Sequence, residues 1–266
     1  MTAASPVRSD DSDPNVRKTA RIGMIVPSSN TCLEPLTYRM LDNRCDVTVH
    51  FTRTPVTRVG LDDTSDAQFD TGAMQAAATL LATADVDLIA WNGTAGSWLG
   101  TSHDRAITDA ISRATGVRAV TSTLAFMAVF GALGVHRLGI VTPYPDYMNA
   151  RIGESYRAEG VTVISTQGFG LTETTDIARI QPHELGSPTR HVAAAAPDAI
   201  AYVCTNLRGA DAVEALEAEL GVPVLDSVAV TLAVCLAMVG AAPLDARWGS
   251  RLSHGAGLAG ETLART

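Results

Sequence analysis

The sequence predicts an α/β fold of two similar units, each built on a four-stranded parallel sheet. Short β-branched segments alternate with alanine-rich segments along the 266-residue chain. This is the pattern of a parallel sheet covered by helices on both faces. Hydrophobic residues make up 46% of the chain, enough for a well-buried core at this length. Three segments also recur in the same order in the two halves of the sequence.

The internal repeat argues against a single eight-stranded barrel. The repeated pairs are RIGMIVPSSN at 21 and RLGIVTPYPD at 137, DLIAWNG at 87 and DAIAYVC at 198, and GVRAVTS at 116 and GVPVLDS at 221. Their separations shrink slowly, from 116 to 111 to 105 residues. A duplicated unit with loops of different length has this pattern. We expect the active site to lie in the cleft between the two units.

The repeat also divides the chain. We expect residues 1–20, which are polar and lack the apolar core of a signal peptide, to form a disordered tail. The first α/β half is expected over 21–120, completed by a C-terminal helix within about 227–266. The second half is expected over 121–226.

In the first half, apolar segments of four to six residues predict strands, and longer alanine- or leucine-rich segments predict helices. The strands are expected at Ile22–Val26, Val47–Thr52, Leu88–Trp91 and Val117–Val120. The helices are expected at about Leu33–Leu41, Asp66–Ala84, Asp104–Thr115 and Leu124–Leu133. Asn30 or Thr31 can cap the first helix, and Thr31-x-x-Glu34 fits a capping box.

The second half repeats this order. The strands are expected at Leu138–Thr142, Val161–Ser165, Ala199–Val203 and Val222–Leu225. The helices are expected at about Tyr147–Ala158, Pro182–Ala195, Asp211–Leu220 and Val228–Val239. The last helix belongs to a nearly apolar stretch of about fifteen residues, which is too short to span a bilayer and is predicted to be buried.

Composition excludes several kinds of chemistry. The net charge is −8, and no basic run is present, which argues against nucleic acid as a partner. Lys18 is the only lysine beside 19 arginines. A Schiff base, pyridoxal phosphate or a P-loop would need a lysine in the folded body. The four cysteines form no CxxC or Cys/His pattern, so we expect no metal, a reducing compartment and a cytoplasmic location.

The loops that follow the strands are where ligands bind in open parallel sheets. Here they are rich in hydroxyl, amide and glycine residues, which suit a carboxylate or a developing oxyanion. The loops are 27–31, 92–97 and 121–123 in the first half, and 143–146, 204–209 and 226–227 in the second. None of the six histidines lies in them, and the glycines form no nucleotide-binding motif.

Cys204 directly follows a predicted strand and precedes Thr205 and Asn206. An isolated cysteine is usually a buried core residue. This position favours an acid/base or nucleophilic role instead, because the following helix can lower the pKa of a thiol. Cys32 is adjacent to a helix start, and we expect Cys45 and Cys235 to be structural.

Other candidates each have a structural alternative. Thr94 can bind a ligand or cap a turn, and Tyr144 can bind a ligand or fill a turn between two prolines. Trp98 can form a wall of the cleft or part of the core. Arg208 can pair with a substrate carboxylate or with a surface acid.

These motifs resemble the aspartate/glutamate racemase superfamily, and within it the branch of maleate cis-trans isomerases and arylmalonate decarboxylases. IVPSSNT after the first strand, TPY in the middle of the chain and Cys-Thr-Asn late in the chain carry the resemblance. It extends from about Arg21 to about Gly240. The resemblance implies a duplicated α/β fold and cofactor-free chemistry on a small carboxylic acid.

In the two-cysteine members of the superfamily, one cysteine follows the third strand of each half. The internal repeat here places Gly93 opposite Cys204, an arrangement that resembles the arylmalonate decarboxylases. The resemblance implies that Gly93, Thr94, Ala95 and Tyr144 bind the carboxylate that is kept, although Ala95 lacks the usual hydroxyl. Asn30 in the first loop resembles the isomerases, whereas Thr174 stands where isomerases tend to carry an asparagine.

We therefore expect a cofactor-independent acid/base enzyme that forms an enediolate from a small carboxylic or dicarboxylic acid. The leading hypothesis is an arylmalonate-decarboxylase-like lyase in which Cys204 supplies the proton. The substrate-binding residues are expected to be Pro27, Asn30, Gly93, Thr94, Ala95, Tyr144 and Thr205. The alternatives are a maleate isomerase with a covalent cysteine adduct, two-base racemisation, and a non-catalytic small-acid binding protein. The expected partner is the small carboxylate, with no nucleic acid or membrane, and a homo-oligomer is possible.

Overall fold

Two four-stranded sheets, each entirely parallel, form the centre of the protein. The computed structural model describes residues 19–62, 65, 67–255 and 257–258. The strand order is β2-β1-β3-β4 in the first sheet and β6-β5-β7-β8 in the second. The identical order confirms the α/β class and the duplication inferred from the repeat. The tail expected at 1–20 falls almost wholly outside the described residues, as does the end of the C-terminal segment from 259.

The first unit contains four strands and five helices in the described residues. Its elements are β1 (Ala20–Pro27), α1 (Leu33–Leu41), β2 (Val47–Thr54), α2 (Thr71–Ala82), β3 (Leu88–Trp91), α3 (Gly96–Leu99), α4 (Thr101–Thr115), β4 (Ala119–Thr121) and α5 (Ser122–Leu133). A short 3-10 helix over Ala67–Phe69 precedes α2.

The second unit repeats this order. Its elements are β5 (Arg137–Thr142), α6 (Asp146–Ala158), β6 (Thr162–Gly168), α7 (Thr174–Ile177), α8 (Gly186–Ala193), β7 (Ala199–Tyr202), α9 (Ala210–Leu220), β8 (Val224–Asp226) and α10 (Ser227–Met238). Further 3-10 helices cover Pro182–Leu185, Ala246–Trp248 and Leu252–His254.

The predicted elements differ from the structure mainly at their ends. The helix expected from Asp66 begins at Thr71 instead, because the Asp70 carboxylate accepts a hydrogen bond from the Gly72 N–H and starts the helix there. The helix expected from Pro182 is a 3-10 helix followed by α8. The four-residue helices α3 and α7 were not predicted, because they are too short to show helical periodicity.

Helices α5 and α10 join the two units. Both are buried over nearly their whole surface, and they pack against each other. Helix α10 also contacts α1 and β3 of the first unit. In the described part of the chain, no helix is long and apolar enough to cross a bilayer. The apolar character of α5 and α10 is explained by their position at the centre of the fold.

Hydrogen bonds also join the units at the carboxyl ends of their strands. Asn30 Nδ2 donates to Thr205 Oγ1 at 3.1 Å, and that hydroxyl donates to the Asn92 carbonyl at 3.1 Å. The Asn206 side chain accepts from the Thr31 N–H and donates to the Thr174 carbonyl. These bonds hold the strand-end loops of both units face to face.

Candidate active site

A small cavity lies between the strand-end loops of the two units. Its volume open to the centre of a water molecule is about 40 Å³. It is lined by Pro27, Ser29, Asn30, Val56, Val59, Phe69, Gly93, Thr94, Ala95, Trp98, Tyr144, Thr174, Ile177, Cys204, Thr205 and Asn206. The structure thus brings all eight residues named as site candidates from the sequence to one cavity.

Cys204 lies two residues beyond the end of β7 and is 6% exposed. Its thiol is within hydrogen-bonding reach of the Tyr144 hydroxyl and the Asn206 backbone N–H. Burial nevertheless raises the pKa of Cys204 to about 11. The expectation that a following helix lowers this pKa is wrong, because α9 begins only at Ala210 and desolvation outweighs the hydrogen bonds. At neutral pH the group is therefore a thiol that carries its proton.

Tyr144 links Cys204 to Thr94. Its fully buried hydroxyl is within hydrogen-bonding reach of both side chains, and burial raises the pKa of Tyr144 well above its ordinary value. The Tyr144 backbone is fixed by bonds to the Thr142 hydroxyl at 3.1 Å and to Asn149 Nδ2 at 3.2 Å. Tyr144 therefore presents a neutral, positioned donor beside the thiol.

Asn30 has a structural role as well as a place on the cavity wall. Its Oδ1 accepts from the Cys32 and Leu33 N–H groups, both at 3.0 Å, and so caps α1. The capping box expected from Thr31 and Glu34 does not form, because the Glu34 carboxylate accepts from Arg53 at 2.8 Å instead. One hydrogen of Asn30 Nδ2 goes to Thr205, which leaves the second for a ligand.

The hydrogen of the Thr205 hydroxyl is used within the chain. It accepts from Asn30 and donates to the Asn92 carbonyl, as described above. A hydroxyl has only one hydrogen to donate. The Thr205 side chain therefore joins the units, and its backbone is the part left to contact a ligand.

Gly93 contributes no side chain to the cavity. A Cβ added there would lie 2.3 Å from Cζ2 of Trp91. The next two residues contribute backbone donors, because the N–H groups of Thr94 and Ala95 have no acceptor among the described residues. The loop thus offers free amide hydrogens to an anion without offering an acid or base.

Part of the cavity lining is apolar. Val56, Val59 and Phe69 come from the segment after β2, Trp98 from α3 and Ile177 from α7. Of these five residues we predicted only Trp98, although β2 ends at the same edge of its sheet as the loops we considered. That shared edge is the sequence signal from which the three residues after β2 are predictable. Trp98 is both wall and core, since it lines the cavity and is 2% exposed.

The remaining sequence candidates lie outside this cavity. Arg208 is within hydrogen-bonding reach of the Cys32 thiol, and burial still raises the pKa of Cys32. Cys45 is exposed, and burial raises the pKa of Cys235 to about 12. Over the residues that the structure describes, no group of three or more His, Cys, Asp or Glu side chains is placed to hold a metal ion.

Comparison with known proteins identifies the family. A sequence profile of the arylmalonate decarboxylase family matches residues 22–252. The chain belongs to the arylmalonate decarboxylase family. It falls in the branch of the Asp/Glu racemase-like superfamily that also holds the maleate isomerases, as the sequence motifs indicated.

Two relatives and one solved structure show what this chain is similar to. Arylmalonate decarboxylase from Bordetella bronchiseptica is 32% identical over 130 residues, which is 48% of this chain and about half (54%) of that enzyme. Maleate isomerase from Geobacillus stearothermophilus is 24% identical over 227 residues, covering 81% of this chain and 90% of that one. The maleate cis-trans isomerase of Nocardia farcinica, solved with a covalently bound succinylcysteine intermediate, shares the fold. Its TM-score is 0.81 at 21% identity, over 88% of this chain and 98% of that one.

Proposed function

We propose that this protein is a cofactor-independent decarboxylase of a substituted malonate, in which Cys204 protonates the product. The observation that carries the proposal is the pairing of Cys204 with Gly93. Cys204 is a buried thiol whose pKa is raised to about 11, and the loop that holds Gly93 brings no second acid or base to the cavity. This arrangement supports chemistry that uses one protonated thiol.

The reaction has two steps. One carboxylate of the malonate leaves as CO₂, and the electrons of the broken C–C bond form an enediolate on the carboxylate that stays. The Cys204 S–H then gives its proton to the carbon, and the resulting thiolate takes a proton from water. Because the thiol pKa is near 11, reprotonation at neutral pH is strongly favoured.

The polar part of the cavity lining suits the carboxylate that stays. Tyr144, Thr94 and the second hydrogen of Asn30 Nδ2 are neutral donors, and the N–H groups of Thr94 and Ala95 add to them. Donors fixed before the reaction stabilise charge as it develops on the oxygens. By analogy with oxyanion holes, each is worth about 3 kcal/mol.

The apolar part of the lining suits the carboxylate that leaves. Beside Val56, Val59 and Ile177 a carboxylate has few partners, so its ionised form is destabilised, whereas neutral CO₂ is not. The apolar part of the cavity lining therefore favours C–C cleavage over simple binding.

Maleate isomerisation is the second candidate. Asn30 on the cavity wall and the likeness to maleate isomerases over 81% of the chain favour it. In that reaction the Cys204 sulfur would add to the double bond of maleate. Such an addition needs a thiolate, which a pKa near 11 makes scarce at neutral pH.

Proton NMR in deuterated water separates these reactions. We expect the protein to convert a malonate to the α-deuterated monoacid and to leave maleate unchanged. Conversion of maleate to fumarate would establish the isomerase instead. Binding of both acids without any turnover would identify a small-acid binding protein.

The role of the thiol is tested by Cys204→Ala. We expect turnover to be lost and the fold to be retained. Cys235→Ala is the matched control, because Cys235 is also a buried thiol and lies outside the cavity. Full decarboxylase activity in the Cys204 variant would overturn the mechanism.

A further inference from the structure

Trp98 forms the partition between the catalytic cavity and a second, more open groove. Trp98 belongs to the lining of both. The groove lies between α4 and α6 and is lined by Gly100, Thr101, Ser102, Arg105, Arg151, Glu154, Ser155, Ala158 and Glu159 in addition to Trp98. Its volume open to the centre of a water molecule is about 350 Å³, against about 40 Å³ in the catalytic cavity. A single residue, Trp98, thus lies between a small space and a larger one.

Two aromatic rings hold this partition in place. Phe69 and Tyr144 each meet Trp98 edge to face, with ring centroids 6.0 Å and 5.5 Å away. Edge-to-face contacts of this kind favour the observed orientation of the ring. The indole N–H has no hydrogen-bond partner among the described residues. Packing alone therefore fixes the ring, and a smaller side chain would break no hydrogen bond.

The cavity in front of Trp98 leaves much less room for a substituent than the groove behind it. The space open to the centre of a water molecule is about ninefold smaller in the cavity, at about 40 Å³, than in the groove, at about 350 Å³. The ring of Trp98 packs edge to face on Tyr144, which lies beside the Cys204 thiol, so Trp98 bounds the space next to the reacting carbon. The size of Trp98 thus limits the group that the reacting carbon can carry.

We propose that Trp98 is the specificity-determining residue of this enzyme and restricts it to malonates with a hydrogen or a small alkyl substituent, excluding aryl groups. This inference rests on the proposed decarboxylase function for its substrate class. The proposed substrates therefore differ from the arylmalonates named for the relative from Bordetella bronchiseptica. Removal of the indole is expected to open the cavity into the groove behind Trp98, so that a larger substituent can bind there.

The test measures binding apart from turnover. Methylmalonate and phenylmalonate are titrated by calorimetry into Cys204→Ala and into the double variants that add Trp98→Ala or Trp98→Phe. We expect methylmalonate to bind all three proteins and phenylmalonate to bind the parent at least tenfold more weakly than methylmalonate. Trp98→Ala is expected to improve phenylmalonate binding at least tenfold. Trp98→Phe, which keeps a ring and so protects against misfolding, is expected to give a smaller gain in the same direction.

Trp248→Phe is the matched control, because Trp248 is also buried, also has no partner for its indole N–H, and lies away from the cavity. We expect it to leave the ratio of the two affinities unchanged. The inference is overturned if phenylmalonate binds the parent as tightly as methylmalonate, if neither acid binds, or if no Trp98 variant shifts the ratio. Turnover is measured separately in proteins that retain Cys204. Size-selective binding without decarboxylation would refute the proposed function and leave the role of Trp98 standing.

Discussion

Trp91 occupies the space that a side chain at position 93 would need. A Cβ added to Gly93 would lie 2.3 Å from Cζ2 of Trp91 and 2.5 Å from Cε2, well inside van der Waals contact. Trp91 is fully buried at the end of β3, so it has no open space to move into. The absence of a second cysteine in this cavity is therefore tied to the identity of a residue in the core.

The first prediction concerns the introduction of a second thiol. Gly93→Cys alone is expected to destabilise the protein by about 1–3 kcal/mol, since overpacking of a core has that cost. Combination with Trp91→Leu is expected to relieve the clash and place a thiol opposite Cys204. Urea unfolding measures the first effect. The second effect is measured as exchange of the α-hydrogen of a chiral monoacid. NMR detects the exchange, and chiral chromatography shows whether it occurs on both faces. Equal stability of Gly93→Cys and wild type would contradict the steric argument.

The second prediction concerns the pH dependence of turnover. A reaction that needs the Cys204 proton is expected to have a constant rate from about pH 7 to pH 10. It should fall above the thiol pKa of about 11. A reaction that needs the thiolate would instead accelerate about tenfold per pH unit over the same range. Initial rates with a malonate decide between the two, with circular dichroism at each pH to confirm folding. A rising profile would disprove proton donation by Cys204.

The third prediction concerns the donor beside the thiol. Tyr144→Phe keeps the ring that packs on Trp98 and removes only the hydroxyl, so we expect kcat/KM to fall about 100- to 1000-fold. Tyr156→Phe is the control. Tyr156 is also fully buried, but its hydroxyl pairs with Ser97 Oγ at 2.8 Å outside the cavity. It should lose about 1 kcal/mol of stability with little change in rate. A similar rate loss in both variants would point to a general packing effect.

The fourth prediction concerns a buried carboxyl. Asp226 ends β8, and its Oδ1 caps α10 by accepting from the Val228 and Ala229 N–H groups. Burial raises the pKa of Asp226 from 3.8 to about 7. The folded state therefore holds this proton more tightly than the unfolded state. Protonation of Asp226 therefore stabilises the folded state. This contribution to the free energy of unfolding is complete below about pH 4 and is lost as the pH rises through 7, a change of about 4 kcal/mol in all.

Asp226→Asn keeps the capping oxygen and removes the titration. The difference in unfolding free energy between variant and wild type is expected to shift in favour of the variant by about 4 kcal/mol between pH 4 and pH 8. Urea denaturation at several pH values measures this. Asp46→Asn is the control, because Arg44 holds the pKa of Asp46 at about 2, below the range tested. Parallel stability curves for wild type and Asp226→Asn would show that the carboxyl is not protonated in the folded protein.

Periodicity and the internal repeat were enough to predict the parallel sheets, and the rule for strand ends was enough to place Cys204, Gly93 and Tyr144 near one another. The uses of individual atoms were not predictable. The oxygen of Asn30 is taken up by a helix cap, and the hydroxyl of Thr205 is taken up by a bond between the units. Such partners are separated by up to 175 residues in the chain. Only the folded geometry decides which donors remain free.

The ionisation of Cys204 was missed for a related reason. Helix dipoles are local and can be inferred from the sequence next to a residue. Desolvation depends on everything packed around the thiol, including Tyr144 from the loop after β5 in the same unit. The same applies to the apolar wall from the segment after β2, which reaches the site only through tertiary packing.

The position of α10 has a consequence for how the protein is made. This helix packs on α1 and β3, which leave the ribosome long before it does. The first sheet can acquire strands and local helices while synthesis continues, but one side of it stays uncovered until residues 227–238 emerge. A nascent chain of this length thus exposes apolar surface through most of translation. We expect stalled or truncated chains that lack α10 to depend on chaperones.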